Sequence, residues 1–116
     1  MQIAVLGPLE VRDDAGVPVD VAGTRVRTLL ARLALDAGRP VGLGVLVDTV
    51  WGDRPPADET NALQTLVSRL RRALGDAGAV LQSQAGYRLV IDAAEVDAHR
   101  FERLAGDGAA ALRAAD

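Results

Sequence analysis

The sequence predicts an α+β domain with a small N-terminal β-sheet, three helices and a C-terminal β-hairpin. Three observations carry that prediction. Two β-branched, aliphatic segments, Ile3 to Val11 and Val17 to Val21, open the chain. Three later stretches repeat apolar residues at the i, i+3, i+4, i+7 spacing of a buried helical stripe. Two further strand-like runs, Val80 to Ser83 and Tyr87 to Ile91, then flank the turn residues Gln84-Ala85-Gly86.

Each element has a local cause. Ile3 to Val11 is interrupted by Gly7-Pro8 and is expected to be one strand with a kink, because proline cannot donate to a ladder. Asp13-Asp14-Ala15-Gly16 makes a turn into a second strand at Val17 to Val21. Thr24 is the expected cap of a first helix whose stripe is Val26, Leu29, Leu30 and Leu33, with Arg25, Arg27, Thr28 and Arg32 outside, and Gly38 ends it. Pro40-Val41 is extended. A short second helix follows, with the stripe Leu43, Leu46, Val47 and Val50, a weak cap at Gly42 and an end near Trp51. Pro55-Pro56 cannot lie inside a helix, whereas Asp58-Glu59 place negative charge where the macrodipole of a third helix favours it. Three helices followed by a hairpin make a winged helix-turn-helix, here with an extra N-terminal sheet.

The third helix, residues 60–74, is the most informative element. Leu63, Leu66, Val67, Leu70 and Leu74 form its apolar stripe. The opposite face holds Asn61, Thr65, Ser68 and Arg72, flanked by Gln64, Arg69 and Arg71. From Thr60 to Gly75 there are three arginines and no acid, in a chain of formal net charge −3. Amide, hydroxyl and guanidinium groups on one helix face suit the major groove, where such groups meet base edges and phosphates. Asn61, Gln64, Thr65, Ser68 and Arg69 are therefore expected at base edges, and Arg71 and Arg72 at phosphates. Tyr87 is expected to pack the hairpin against the third helix with its hydroxyl toward a phosphate. Arg88, pointing the other way along the strand, is the remaining candidate DNA contact. The bland reading of the arginines is a solvated helix face. The turn and the hairpin around them weigh for DNA.

The chain resembles the OmpR-type winged-helix DNA-binding domain in the form found in SARP regulators, the actinobacterial activators of secondary-metabolite gene clusters. The residues that carry the resemblance are Val5-Leu6-Gly7-Pro8-Leu9-Glu10-Val11, Ala37-Gly38-Arg39-Pro40-Val41, Trp51-Gly52-Asp53-Arg54-Pro55-Pro56, Leu63-Gln64-Thr65, Val67-Ser68-Arg69-Leu70-Arg71-Arg72-Ala73-Leu74 and Gly86-Tyr87-Arg88-Leu89. The resemblance implies residues 1–92 as the DNA-binding domain. It implies residues 93–116 as a linker and the first helix, Val96 to Leu104, of a truncated bacterial transcriptional activation domain. The partners it implies are double-stranded promoter DNA, a second protomer on an adjacent direct repeat, and RNA polymerase with its sigma factor, met by Asp53 and Arg54 in the turn from Gly52 to Asp58. The sequence departs from the family at the hairpin tip, where Ser83-Gln84-Ala85-Gly86 replaces a customary arginine and proline pair. It departs again at Gly42, often a hydroxyl residue in relatives.

Composition bounds the alternatives. With 116 residues the chain is one domain with a short extension, and with one Trp, one Tyr and one Phe its core is built from Leu, Val and Ala. Cysteine is absent, so disulfides and cysteine-liganded metals are excluded. No apolar run is long enough to span a membrane and no basic leader opens the chain, so the expected location is the cytoplasm. All thirteen basic residues are arginine, and the negative balance argues against indiscriminate nucleic-acid binding; DNA contact must be local to one face. His99 is the sole histidine and sits in the tail, leaving no nucleophile–base pair, and Asp13-Asp14 and Asp58-Glu59 stand where a turn and a helix start want acids. No metal site, cofactor or enzymatic activity is expected. The expected function is sequence-specific transcriptional activation. The alternative is a winged-helix interaction module that docks polymerase or a sensor domain without reading DNA.

Overall fold

The computed structural model describes residues 1–98. Its elements run β1 (Gln2–Ala4), β2 (Glu10–Arg12), β3 (Pro18–Val19), α1 (Thr24–Leu35), α2 (Leu43–Trp51), α3 (Glu59–Leu74), β4 (Val80–Ser83) and β5 (Gly86–Leu89). The strands form an antiparallel sheet β1-β2-β3 and the hairpin β4-β5. This is the winged helix-turn-helix with an N-terminal sheet that the hydrophobic periodicity predicts.

The N-terminal segment corrects one expectation. Ile3 to Val11 is not a single kinked strand. The chain reverses through Leu6 to Pro8, and β1 and β2 pair with Ile3 opposite Val11. Reversal lets both residues bury on one core, at 2% and 4% exposure, and it moves Pro8 out of any ladder where its missing N–H would matter. Val17 to Val21 contracts to the two residues of β3, entered from a turn in which the Asp13 carboxylate accepts from the amides of Ala15 and Val17, both at 2.9 Å.

A second correction concerns the start of α1. Thr24 is the first helical residue, not the cap. The cap is Gly23, with φ 96, and no side chain accepts a hydrogen bond there. A positive φ of this kind is open to glycine and strained for threonine, so backbone geometry overrides the hydroxyl preference. The helix stops at Leu35, with Gly38 in the turn beyond it. Its stripe of Val26, Leu29, Leu30 and Leu33 is buried as expected. Gly42 does precede α2, without a side-chain cap, and Leu46 and Val47 are buried beneath it.

The third helix begins one residue earlier than predicted, at Glu59, because Asp58 caps it: its carboxylate accepts from the Asn61 amide at 3.1 Å. Leu63, Leu66, Val67 and Leu70 enter the core, which also takes Leu29, Leu30, Leu33, Leu46, Val80, Tyr87 and Leu89. Asp58→Ala removes the cap, and a loss of about 1 kcal/mol is expected. Thermal unfolding followed by circular dichroism should show a midpoint lowered by roughly 4–8 °C.

The last described residues return to the N-terminal sheet. Val96, fully buried, forms a parallel bridge with Ile3, and the Asp97 carboxylate accepts from the amides of Val5 and Leu6 at 2.7 and 3.2 Å. A short 3-10 turn at Ala93–Glu95 delivers them there. The helix expected over 96–104 lies, from residue 99 onward, outside the described residues, as does His99.

Candidate nucleic-acid interface

Helix α3 presents two chemically distinct sides. Of the predicted outer face and its flanks, Asn61, Gln64, Thr65, Ser68, Arg69 and Arg72 are exposed, and Arg71 is half-buried. At 3.6 residues per turn, Asn61, Ser68, Arg72 and Thr65 line the centre of that face, and Arg69 and Arg71 stand on opposite flanks. Thr65 donates its hydroxyl proton to the Asn61 carbonyl at 3.0 Å. Its oxygen is left as an acceptor, which matches a base-edge amino group better than a carbonyl. Arg69 and Arg72 form no ion pair among the described residues, in contrast to Arg32 and Arg39, both of which pair with Asp36.

Arg71 occupies a different position from the one its type implies. It is half-buried, and its Nε and Nη2 both donate to the Val80 carbonyl, at 3.0 and 2.7 Å. The neighbouring ladder bond runs from the Val90 amide to Ala79. Alternation in an antiparallel pair then places Val80 opposite Leu89 at a non-hydrogen-bonded position, where its carbonyl points out of the hairpin. Arg71 meets that carbonyl and fastens β4 to the C-terminal half of α3. No spacing in the sequence reveals this, because it depends on where β4 passes.

The hairpin is held at a second point. Val41 and Tyr87 exchange backbone hydrogen bonds of 2.7 and 3.0 Å, joining β5 to the link between α1 and α2. Tyr87 is 2% exposed and belongs to the core, and β5 packs chiefly on α1. The ring is thus a packing element under the wing. Arg88 projects from the other side of β5, half-buried, opposite the exposed Leu81. The tip residues Ser83, Gln84 and Ala85 are exposed and uncharged.

Between α2 and α3, Asp53, Arg54 and Pro55 are exposed and Pro56 is half-buried. The turn is set by the Arg54 amide donating to the Trp51 carbonyl at 3.2 Å. Trp51 is half-buried against the core, with the Arg25 guanidinium 5.9 Å from its ring centroid. Arg25 is a feature the sequence reading left on the outside of α1 without a role. It lines one groove with Trp51, Thr65 and Arg69, brought together only by the packing of α1 on α2 and α3.

Comparison with known proteins agrees with the fold. The family profile described as "Transcriptional regulatory protein, C terminal" matches residues 20–89. The chain is similar to the transcriptional regulator RedD of Streptomyces coelicolor, at 43% identity over 98% of this chain and 34% of RedD. It is similar to the regulatory protein DnrI of Streptomyces peucetius, at 37% identity over 93% of this chain and 43% of DnrI. It thus spans about a third to two-fifths of the length of these relatives. Among solved structures it resembles Mycobacterium tuberculosis EmbR in complex with a low-affinity phosphopeptide, with a TM-score of 0.76 and 34% identity over 86% of this chain and 27% of that one. The DNA-binding domain of Bacillus subtilis CssR shares the fold, with a TM-score of 0.59 and 24% identity over 74% of this chain and 96% of that one.

Proposed function

We propose that this chain, which belongs to the family of transcriptional regulatory protein C-terminal domains in its OmpR-type, SARP form, is the promoter-reading part of a sequence-specific transcriptional activator. The observation that carries the proposal is the outer face of α3, where six polar residues are exposed together and its two exposed arginines have no carboxylate partner among the described residues. In the major groove, Asn61, Gln64, Thr65, Ser68 and Arg69 read base edges and Arg72 meets a phosphate. Arg71 works mainly by holding the wing, and keeps its Nη1 hydrogens and the second Nη2 hydrogen for a phosphate. Arg88 and the main chain of the hairpin position the wing on the backbone, with Tyr87 supporting them from the core.

The role is regulatory and not catalytic. The target, from the resemblance to SARP activators, is the promoter region of a secondary-metabolite gene cluster, and the working location is the cytoplasm. No described helix is long and apolar enough to cross a membrane. Two protomers lie on adjacent direct repeats, spaced near one helical turn, about 10–11 base pairs, so that both occupy one face of the duplex. Footprinting on the promoter beside the gene tests this. Two protected segments at that spacing are expected, and a chain that protects no segment at any concentration short of nonspecific coating contradicts it.

The turn from Gly52 to Asp58 is the part proposed to meet RNA polymerase and sigma factor. Pro55-Pro56 restricts its backbone, so little entropy is lost when a partner docks. Asp53 and Arg54 are exposed and make no ion pair among the described residues. Asp53→Ala with Arg54→Ala should leave operator affinity within a factor of about two, because loop charges away from the groove add little. Transcription from the target promoter should fall. A parallel drop in both quantities would put the loop in the DNA interface.

A further inference from the structure

We propose that the chain holds a second DNA-backbone site, in the open groove between the start of α1 and the N-terminal half of α3, with Arg25 as its principal cation. The site rests on the DNA-binding reading above and extends it to a surface outside the helix-turn-helix face. The groove, about 770 Å³, has an apolar floor that includes Val26 and Leu66, a wall formed by Trp51, and Arg25 and Arg69 on its banks. No carboxylate lines it. In a chain of net charge −3, a groove with two guanidiniums and no acid is a local reversal of sign, and it selects an anionic occupant.

Arg25 is held ready without being neutralised. Its guanidinium lies over the Trp51 ring at 5.9 Å, a contact that fixes position and leaves the N–H groups free to donate. It has no carboxylate partner among the described residues, and the first turn of α1 carries no acid. The groove is also continuous with the reading face, since Thr65 and Arg69 belong to both.

The position of the groove names the ligand. A helix seated in the major groove has a sugar-phosphate wall on each side. Arg71, on one flank of α3, faces the wing through Val80. Arg69, on the other flank, faces this groove. The phosphodiester of the strand on the Arg69 side is therefore the occupant, taken by Arg25 through charge-assisted hydrogen bonds, with the Thr24 hydroxyl beside it. An apolar peptide from a partner would suit the floor but leave the Arg25 guanidinium unanswered.

The test uses operator duplexes in which single phosphates are replaced by neutral methylphosphonates, titrated with the full chain and with its Arg25→Ala and Arg25→Lys variants. For the native chain, one neutral phosphate on the Arg69 side of the α3 footprint should weaken binding about tenfold. Arg25→Ala should show a similar loss on the unmodified duplex and no further loss at that phosphate. Its slope of log K against log salt should shrink by about 0.9, whereas Arg25→Lys should keep the slope. Arg25 is exposed, so unchanged thermal unfolding is expected for both variants. Native affinity, slope and phosphate sensitivity in Arg25→Ala would overturn the site, and a fall in transcription alone would give the groove to a polymerase segment instead. A native chain without any sensitive phosphate on that side overturns it independently of the variants. Failure of the native chain to bind any duplex is a different result, and rejects the DNA-binding reading itself.

Discussion

Gly86→Ala is expected to lower the thermal midpoint of unfolding by more than about 12 °C, on the scale of 4–8 °C per kcal/mol for a domain of this size. A β-carbon at Gly86 would stand 2.0 Å from the Val41 carbonyl oxygen, 2.6 Å from its carbon and 2.9 Å from the Gly42 Cα. All three are backbone atoms, so no side chain can swing aside. Gly86 also has φ 127, a conformation that strains any residue with a side chain by about 1–3 kcal/mol. Relief requires β5 to move away, and that breaks the pair of hydrogen bonds between Val41 and Tyr87. Each one lost in the interior costs about 1–3 kcal/mol. The combined loss is roughly 3–9 kcal/mol. Gly42→Ala is the control, because nothing lies within 4 Å of its added carbon and its φ is −65. That variant should stay within about 4 °C of the native midpoint. Equal midpoints for the two variants would show that β5 does not sit against Val41.

Arg71→Ala is expected to destabilise the domain by about 1.5–3 kcal/mol, the range for hydrogen bonds that involve a charged group, and to loosen β4 from α3. Arg71→Lys separates the two possible roles of this arginine. A lysine keeps the charge but lacks the planar fork that gives Nε and Nη2 to one carbonyl. If the clamp on Val80 dominates, lysine and alanine should lower the midpoint alike, and both should expose the Leu81 and Arg88 amides to faster hydrogen exchange. If a phosphate contact dominates, lysine should preserve operator affinity and the salt slope, while alanine reduces the slope by about one unit. The clamp also bears on the proposed role of a wing with an uncharged tip. It is positioned by α3 and by Val41, with no charge at Gln84 needed to hold it in place.

The helices were legible because their cause is local. Four residues at helical spacing state which face is buried, and Val26-Leu29-Leu30-Leu33 and Leu63-Leu66-Val67-Leu70 enter the core as that rule requires. The outer face of α3 was legible for the same reason, as the complement of its stripe. What escaped depends on partners far away in sequence. Ile3 to Val11 alternates well enough for either a strand or a hairpin, and only the shared core beneath Ile3 and Val11 decides between them. The bridge from Ile3 to Val96 joins the two ends of the described chain and has no local signature. Thr24 lost the cap to Gly23 because a positive φ was set by the path from β3 into α1. Arg71 and Arg25 carry the same lesson in side chains. Each looks like an ordinary exposed arginine until the fold brings Val80 to one and Trp51 to the other.

The central claim, that the outer face of α3 reads promoter sequence, is tested most directly by pairing protein variants with base substitutions. Operator duplexes carrying each single base-pair change are titrated with the native chain, Arg69→Ala and Arg72→Ala at several salt concentrations. Arg69→Ala is predicted to lose about 1–3 kcal/mol on the native operator and to stop discriminating at one base position. Arg72→Ala is predicted to weaken all duplexes alike and to reduce the salt slope by about one unit, with the ranking of operators unchanged. Identical affinities and rankings for all three proteins would contradict the claim and leave α3 a solvated helix.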